Sequence, residues 1–515
     1  MNETRLLAEF VANTRFADLP EAVVRHTKHL VLDHFGVSLY AAQTPWGRIA
    51  YKYAKKFSCV GDCTVYGETW KTSAQHAAFA NGLCAHGYEL DDSFEGGYCH
   101  PGAPTIPAAL AVAEEQKRTG EEFLLGAIVG YETMTRISLA LAREWNKFHH
   151  ATGQIGVFAS AAAASSLMRL DAPHISNAFG IAGSMASGVM EFANDPEGTM
   201  VKRLYGGWPS QSGVVAAWLA SEGLTGPATI VEGRQGFLRG ISPEMNLEPV
   251  TSGLGREYQM LRTVFKPYAT CRAFHPLIEG IAELRAKHGV TPDNITQLDI
   301  GVRESIINYQ IVYEPRSIMA AQYSMPFTTA LALSRDLADP RSVDEACLTD
   351  AALLANAKKV KAYLDPEMNA FPRYSARIKA SLTDGREITV TAFDHKGTGR
   401  IESKHREYYS VSGQLLGYRW LAQGVYGERF AGLRVNLIQH GNNDWKYERP
   451  QLLQAPALLK QFPQTVVDAE QRILELEAQE RPYDQWPKAM NEMTCFGRYG
   501  ACKHIEKCKW GAPQE

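Results

Sequence analysis

Two stretches of small residues constrain the fold more than anything else in this chain: Gly156 to Leu167 (GVFASAAAASSL) and Ala178 to Val189 (AFGIAGSMASGV). Glycine, alanine and serine at helical spacing offer no polar face to water and let neighbouring helices approach closely. Both stretches therefore predict buried central helices rather than linkers. The segments before them share the helical pattern. Leu19-Pro20-Glu21 opens one that is apolar at helical spacing through Leu30, Val31, Phe35 and Val37; Ala108 to Lys117 reads as an apolar helix; Glu121 to Arg143 repeats apolar residues on a wide face. A chain of 515 residues is too long for one ordinary core, so two or more domains are expected.

From about Leu298 the texture changes. ITQLDIGV alternates like a strand, Gln322 to Arg335 is a helix candidate, and ARIKASLTDGREITVTAF alternates on both sides of Asp384-Gly385, a hairpin signal. The order predicts a helical domain over 1–265 followed by an α+β domain over 266–392. A third texture occupies 393–515: an amphipathic helix in SGQLLGYRWLAQGVYG, a strand in GLRVNLIQ, and a charged helix from Val466 to Gln479.

Composition is that of a globular protein, 45% hydrophobic and 21% charged. The net charge of −3 gives no global pull toward nucleic acid or acidic membranes. The polar start MNETRLLAEFVANTRF lacks the plan of a signal peptide, and no apolar run is long enough to span a bilayer, so a cytoplasmic protein is expected. Nine cysteines, an odd number, argue against a disulfide framework.

Chemistry concentrates in Ala85 to Pro107, AHGYELDDSFEGGYCHPGAPTIP, which places His86, Glu89, Asp91, Asp92 and His100 among small and apolar residues. Carboxylates and imidazoles crowded beside a buried element are suited to proton transfer. Paired carboxylates drive their pKa values apart, so Asp91 or Asp92 can act as base or orient a histidine. An Asp-Asp pair is also a common helix cap or solvated turn. Likewise Lys202 beside Arg203 also fits a surface pair, and Cys271 fits packing better than nucleophilic attack. His86, Asp91 and His100 lack compact zinc-like spacing.

The H-x-x-x-x-D-D and H-P-G-A of this stretch resemble the MmgE/PrpD family. FHHATGQIGVFASAAAAS, MVKRLYGGWPSQSG, KPYATCRAFHP (Lys266 to Pro276) and QYSMPF (Gln322 to Phe327) are similar to further family segments, in family order, over residues 1–392. The resemblance implies a cofactor-independent lyase or isomerase acting on a small di- or tricarboxylate. It also implies a helical domain, an α+β lid domain, a site between them and a homodimer. Catalytic positions carried over are Asp91, Asp92, His100, His150, Lys202 and His275, with His150 preferred to His149 because it keeps the spacing to Gly156. Substrate-binding positions are Glu89, Ser93, Arg272 and Lys266. Phe327 departs from the pattern, standing where the family's decarboxylase has a tyrosine.

After the hairpin, FDHKGTGRIESKHREYYSVSGQLLGYRW instead resembles the end of a PD-(D/E)XK nuclease of RecB/Cas4 type. Asp394 and Lys396 match its D-x-K, and Gln414 and Tyr418 its Q-x-x-x-Y. Cys495, Cys502 and Cys508 resemble cysteines that hold a [4Fe-4S] cluster. That likeness implies Mg2+ and DNA as partners of a restriction-endonuclease-like α/β fragment, although the upstream metal-binding aspartate is missing. Cys347 is the nearest candidate for a fourth thiolate; three reduced surface thiols, or a zinc site completed by His504, are the alternatives. The chain thus reads as a hybrid, a nearly complete lyase joined to a nuclease fragment.

Overall fold

The computed structural model describes residues 2–393, apart from 59, 142–147, 194, 196, 243, 308–310 and 372–373, together with 437–440 and 445–448. The chain divides into two units, Met1–Asp394 and His395–Glu515.

The first unit begins as layered helices: α1 (Glu3–Asn13), α2 (Glu21–Ala41), α3 (Pro45–Lys55), α4 (Ala74–Ala85), α5 (Gly102–Glu115), α6 (Gly120–Leu139), α7 (Ala151–Leu167), α8 (Ala172–Ser184) and α9 (Leu204–Ser221). Helix α7 is the central rod, with every residue but Ser166 buried. Alanine makes this possible, because α5, α6 and α9 can lie against it at once. The approach is closest at glycines. A Cβ on Gly213 of α9 would overlap Ser160 Oγ, and one on Gly130 of α6 would stand 2.8 Å from Ala159 O. Helix α6 is started by a capping box, Thr119 with Glu122.

The second small-residue stretch does not stay helical to Val189. Helix α8 ends at Ser184, and Gly188 takes φ +121, a conformation L side chains rarely adopt. The chain turns there so that the Gly188 carbonyl accepts from His150 N (3.3 Å) and Gln154 Nε2 (2.9 Å). The region 1–265 is also not purely helical. Two short ladders interrupt it, β1 (Cys63–Thr64) with β2 (Lys71–Thr72), and β3 (Ser93–Phe94) with β4 (Thr263–Val264). The second ladder ties the acidic loop to the segment leading to Lys266. A buried pair holds that segment in place. Glu132 accepts from Arg136 Nε (2.6 Å) and from the backbone N–H groups of Gln259 and Met260 (3.0 Å each). Arg136 donates in turn to the carbonyls of Pro249, Ser252 and Glu257.

The α+β part is a four-stranded sheet in the order β6-β5-β7-β8, built from β5 (Ile295–Val302), β6 (Val360–Leu364), β7 (Ser375–Leu382) and β8 (Glu387–Phe393). The β7–β8 hairpin turns at Asp384-Gly385 as predicted, with Gly385 at φ +86. Strand β6 joins β5 in parallel. The helix His275–His288 covers the sheet, and at Gly280 it comes so close that a Cβ would overlap Ile378 Cδ1. The single helix predicted over 322–335 is two, Ile318–Tyr323 and Met325–Ser334. Ser324 stands between them in extended conformation, its Oγ accepting from Phe327 N, and Pro326 occupies the first turn of the second helix.

In the second unit the described residues form one antiparallel pair, β9 (Leu437–His440) with β10 (Trp445–Glu448). These residues show no restriction-endonuclease-like arrangement. Gln414, Tyr418, Cys495, Cys502, Cys508, Asp394 and Lys396 lie outside the described residues, as do the two helices expected after 393. Among the described residues no helix is long and apolar enough to cross a membrane.

Close approach of α4 and α9 positions the functional loop, so it can be tested directly. A Cβ on Gly206 would overlap Gly82 O and stand 2.8 Å from His86 Cβ. Gly206→Ala is expected to destabilise the protein by about 1–3 kcal/mol through overpacking, measured by urea denaturation.

Candidate active site

The loop between α4 and α5 carries the acidic stretch, and the fold buries it. Glu89, Asp91 and Asp92 are each 5% exposed or less. Glu89 sits at φ +59, a left-handed conformation that costs a non-glycine residue about 1–2 kcal/mol. Its charge partners offset this cost. Its carboxylate bonds Lys202 Nζ and Arg203 Nη1 (2.6 Å), and Lys266 Nζ lies at 3.5 Å. Burial alone would push Glu89 toward the neutral acid, but Lys202, Lys266 and Arg203 hold it well below the ordinary carboxylate range. Burial moves Lys202 the other way, down to about 8 against the pull of Glu89. Lys202 and Arg203, which also fit a surface pair by sequence, are fully buried in the short turn before α9.

Asp91 and Asp92 have different roles because their neighbours differ. Asp91 Oδ2 takes a 2.6 Å hydrogen bond from His86 Nδ1 and lies 3.4 Å from His100 Nδ1, and its Oδ1 is 3.8 Å from Lys266 Nζ. Against the effect of burial, His86, His100 and Lys266 keep it ionised. Asp92 accepts from Tyr131 Oη (2.6 Å) and Gly102 N (3.0 Å), contacts too weak to offset burial, and its pKa is pushed up to about 7. A Cβ at Gly102 would meet Tyr131 Oη at 2.5 Å and Asp92 Oδ2 at 2.7 Å, so a larger residue would have to push this hydrogen-bonded pair aside.

The imidazoles group around Asp91. His100 donates from Nδ1 to the Asp92 carbonyl (2.7 Å), which leaves Nε2 as a lone pair in the neutral ring. His150 starts α7, buried against Tyr205 and Phe192. Its ring stands 5.4 Å from that of His86 and 6.5 Å from that of His100. Burial lowers all three, His100 to about 3, so each is neutral near pH 7. His149 is only partly buried, near Gln154 at the rim.

A cavity of about 70 Å³ opens onto this cluster. Glu89, Ser93, His100 and His150 line it from one side of residue 265, and Lys266, Cys271, Arg272, Tyr323 and Tyr374 from the other. Arg272 is held by Ser93 Oγ (3.2 Å) and Glu95 (3.0 Å), with Tyr374's ring 5.0 Å from the guanidinium carbon. Burial raises the Cys271 thiol to about 11, so it is a wall rather than a nucleophile at neutral pH. His275 is not brought to the cavity. It opens the helix His275–His288 with its ring 5.2 Å from Tyr268's. Phe327 is buried in the core, whereas Tyr323 lines the cavity with Lys202 Nζ 5.1 Å from its ring. Sequence reasoning missed Arg203, Tyr323, Tyr374 and Gln322, which bonds Arg203 (2.8 Å) and the carbonyls of Tyr88 and Ala269. Adjacency to Lys202 and the AQYSMPF segment were the available signals. Among the described residues no group of three or more His, Cys, Asp or Glu is arranged to hold a metal ion. Cys347, the candidate fourth thiolate, is fully buried in the core of the first unit.

The Asp92 environment predicts a pH signature. Its folded pKa is raised above the unfolded one, so the folded state holds an extra proton between about 4 and 7 and stability falls as pH rises through that window, by up to about 1.4 kcal/mol per pH unit. Asp92→Asn, which imitates the protonated acid, is expected to flatten that dependence in thermal melts between pH 4 and 7.5.

Residues 5–249 match the MmgE/PrpD N-terminal domain and residues 268–408 the MmgE/PrpD C-terminal domain. Asp394 and Lys396, the D-x-K of the nuclease reading, fall inside the second match. Relatives include a cis-aconitate decarboxylase-like protein of Aspergillus oryzae, 30% identical over 59% of this chain and 67% of its own length. The cis-aconitate decarboxylases of Aspergillus terreus and Homo sapiens are 29% and 31% identical, over 55% and 45% of this chain. The chain spans 60% and 49% of those two proteins. The chain belongs to the MmgE/PrpD family.

Proposed function

We propose that the chain is a lyase that eliminates CO2 or water from a small di- or tricarboxylate by proton transfer, without a cofactor. The observation that carries this reading is the charge pattern of one cavity. Glu89 and Lys266 line it, and Lys202, Arg203 and Asp91 stand behind them, three cations against two ionised carboxylates, with neutral His100 and His150 at the cavity wall. A buried excess of positive charge favours an anionic ligand, and in a water-poor site it acts at higher strength than in solvent. Arg272, reaching the same cavity from the other side while donating to Ser93 and Glu95, adds a further cation toward a second carboxylate.

The chemistry then follows from the groups present. Breaking a C–C or C–O bond beside a carboxylate builds negative charge that Lys266 at the cavity wall, with Lys202 behind Glu89, is placed to stabilise. His100, with Nε2 as a lone pair, and His150 supply or remove the proton at carbon or at the leaving hydroxyl. The decarboxylase relatives make cis-aconitate the first substrate to test. The Phe327 departure is less damaging than it looks in sequence, because Tyr323 provides an aromatic residue with a hydroxyl at the cavity.

The test is turnover of cis-aconitate, citrate and 2-methylcitrate by the full chain, following CO2 release and the conjugated product double bond. Lys202→Ala and His100→Ala are each expected to lower turnover at least about 100-fold with an unchanged circular dichroism spectrum. Full activity in both variants sinks the site assignment. If the Lys202 cation holds the substrate, kcat/KM must fall as pH rises through about 8, where that ammonium loses its proton. A kcat/KM that stays level to pH 10 contradicts this role.

A further inference from the structure

We infer that His86 is a positioning residue of this site, one that stores a proton for His150 under the charge of Asp91. The proposal rests on the reading of the cavity as one that moves protons on a polycarboxylate, and it adds a second layer behind that cavity.

His86 caps the C-terminal end of α4, is fully buried and does not line the cavity. Its Nδ1 donates to the ionised Asp91 carboxylate, so in the neutral ring Nε2 carries the lone pair. That Nε2 has no hydrogen-bond partner among the described residues, and neither do His150 Nδ1 and Asp91 Oδ1. A buried polar atom left unpaired costs about 1–3 kcal/mol. Asp91 Oδ1 has the Lys266 ammonium at 3.8 Å, but the two bare imidazole nitrogens in one cluster mark a place where geometry serves something other than stability.

The rings are placed for exchange. His86 is 5.4 Å from His150 and 5.3 Å from His100, closer to each than they are to one another. At 5.4 Å between ring centres, the two rings are near enough for ring rotation to carry a nitrogen of each toward hydrogen-bond range. Gly82 and Gly206 let α4 and α9 touch and so hold His86 at this depth.

The step balances within the protein. His150 gains the substrate proton on one nitrogen and releases the proton on Nδ1. An N–H bond breaks there and another forms at His86 Nε2. His150 returns to neutrality, and the positive charge comes to rest on His86, hydrogen-bonded to the Asp91 carboxylate. The reverse transfer returns the proton to the leaving group or the product carbon. The charged groups acting on His86 are Asp91 and Glu89 of its own loop and Lys202 of the turn before α9, with the imidazoles of His100 and His150 beside it.

His86→Asn separates relay from scaffold, since the asparagine amide can still donate to Asp91 but has nothing at the Nε2 position. The expected result is an unchanged thermal midpoint and an unchanged dissociation constant for tricarballylate, a saturated tricarboxylate. Turnover of the wild type's best substrate should drop about 100-fold in kcat with little change in KM, and the pH profile of kcat should shift. Nitrogen NMR of histidine-labelled wild-type protein at pH 7 should show His86 protonated at Nδ1 and bare at Nε2. A variant that keeps wild-type kcat and pH profile overturns the relay, and so does a wild-type His86 protonated at Nε2. If the His86→Asn variant does not fold, the NMR tautomer decides. If wild-type protein neither binds tricarballylate nor turns over any substrate offered, the polycarboxylate reading falls, and the relay with it.

Discussion

One buried carboxylate organises the site. Glu89 gathers Lys202, Arg203 and Lys266, which come from two distant parts of the chain: the turn before α9, and the segment that follows β4. Arg203 carries the link onward to Gln322, and Gln322 to the backbone of Tyr88 and Ala269. Taking one partner out of such a cluster leaves charge uncompensated in a low dielectric, which is why its members stand or fall together. The left-handed backbone at Glu89 is tolerated because the same ion pairs fix it.

The cluster in turn depends on the packing of small residues. Helix α7 is thin enough for α9 to reach α4, and Gly82, Gly206 and Gly207 let those two helices touch. That contact sets the depth of His86 and the start of α9, and therefore of Lys202. The buried Glu132–Arg136 pair does the corresponding work on the other side. It bonds the backbone of 249–260 and so positions β4 against β3. Two adjacent aspartates then diverge by environment alone, one ionised among imidazoles, one pushed toward neutrality beside a tyrosine.

Much of this was legible from residue order. Helix and strand periodicity located α2, α6, β5 and the β7–β8 hairpin, and small-residue content located α7, whereas α5 and α7 begin at Gly102 and Ala151, before the expected Ala108 and Gly156. It failed where one residue changes the path. The second small-residue stretch leaves the helix after Ser184 and turns at Gly188, and Ser324 with Pro326 divides one expected helix into two. Neither effect has a period to read. For the site, the motif residues Glu89, His100, His150, Lys266 and Arg272 meet at the cavity, with Asp91 and Lys202 packed behind them. His275 does not reach the cavity, because the turn Arg272–Phe274 ends just before it and the helix carries its ring toward Tyr268.

The sequence by itself determined the family, the helical layer with its small-residue centre, the α+β layer after it, and the types of groups available for chemistry. These are properties of local pattern and motif, which residue order records. Only the tertiary structure decided which carboxylate is charged and which nitrogen of His86 and His100 is free to act. It also decided that Lys202 and Arg203 are an interior pair, and that Tyr323 rather than Phe327 meets the cavity. Those outcomes depend on burial and on distances between residues as far apart as 89 and 322, which no stretch of sequence contains.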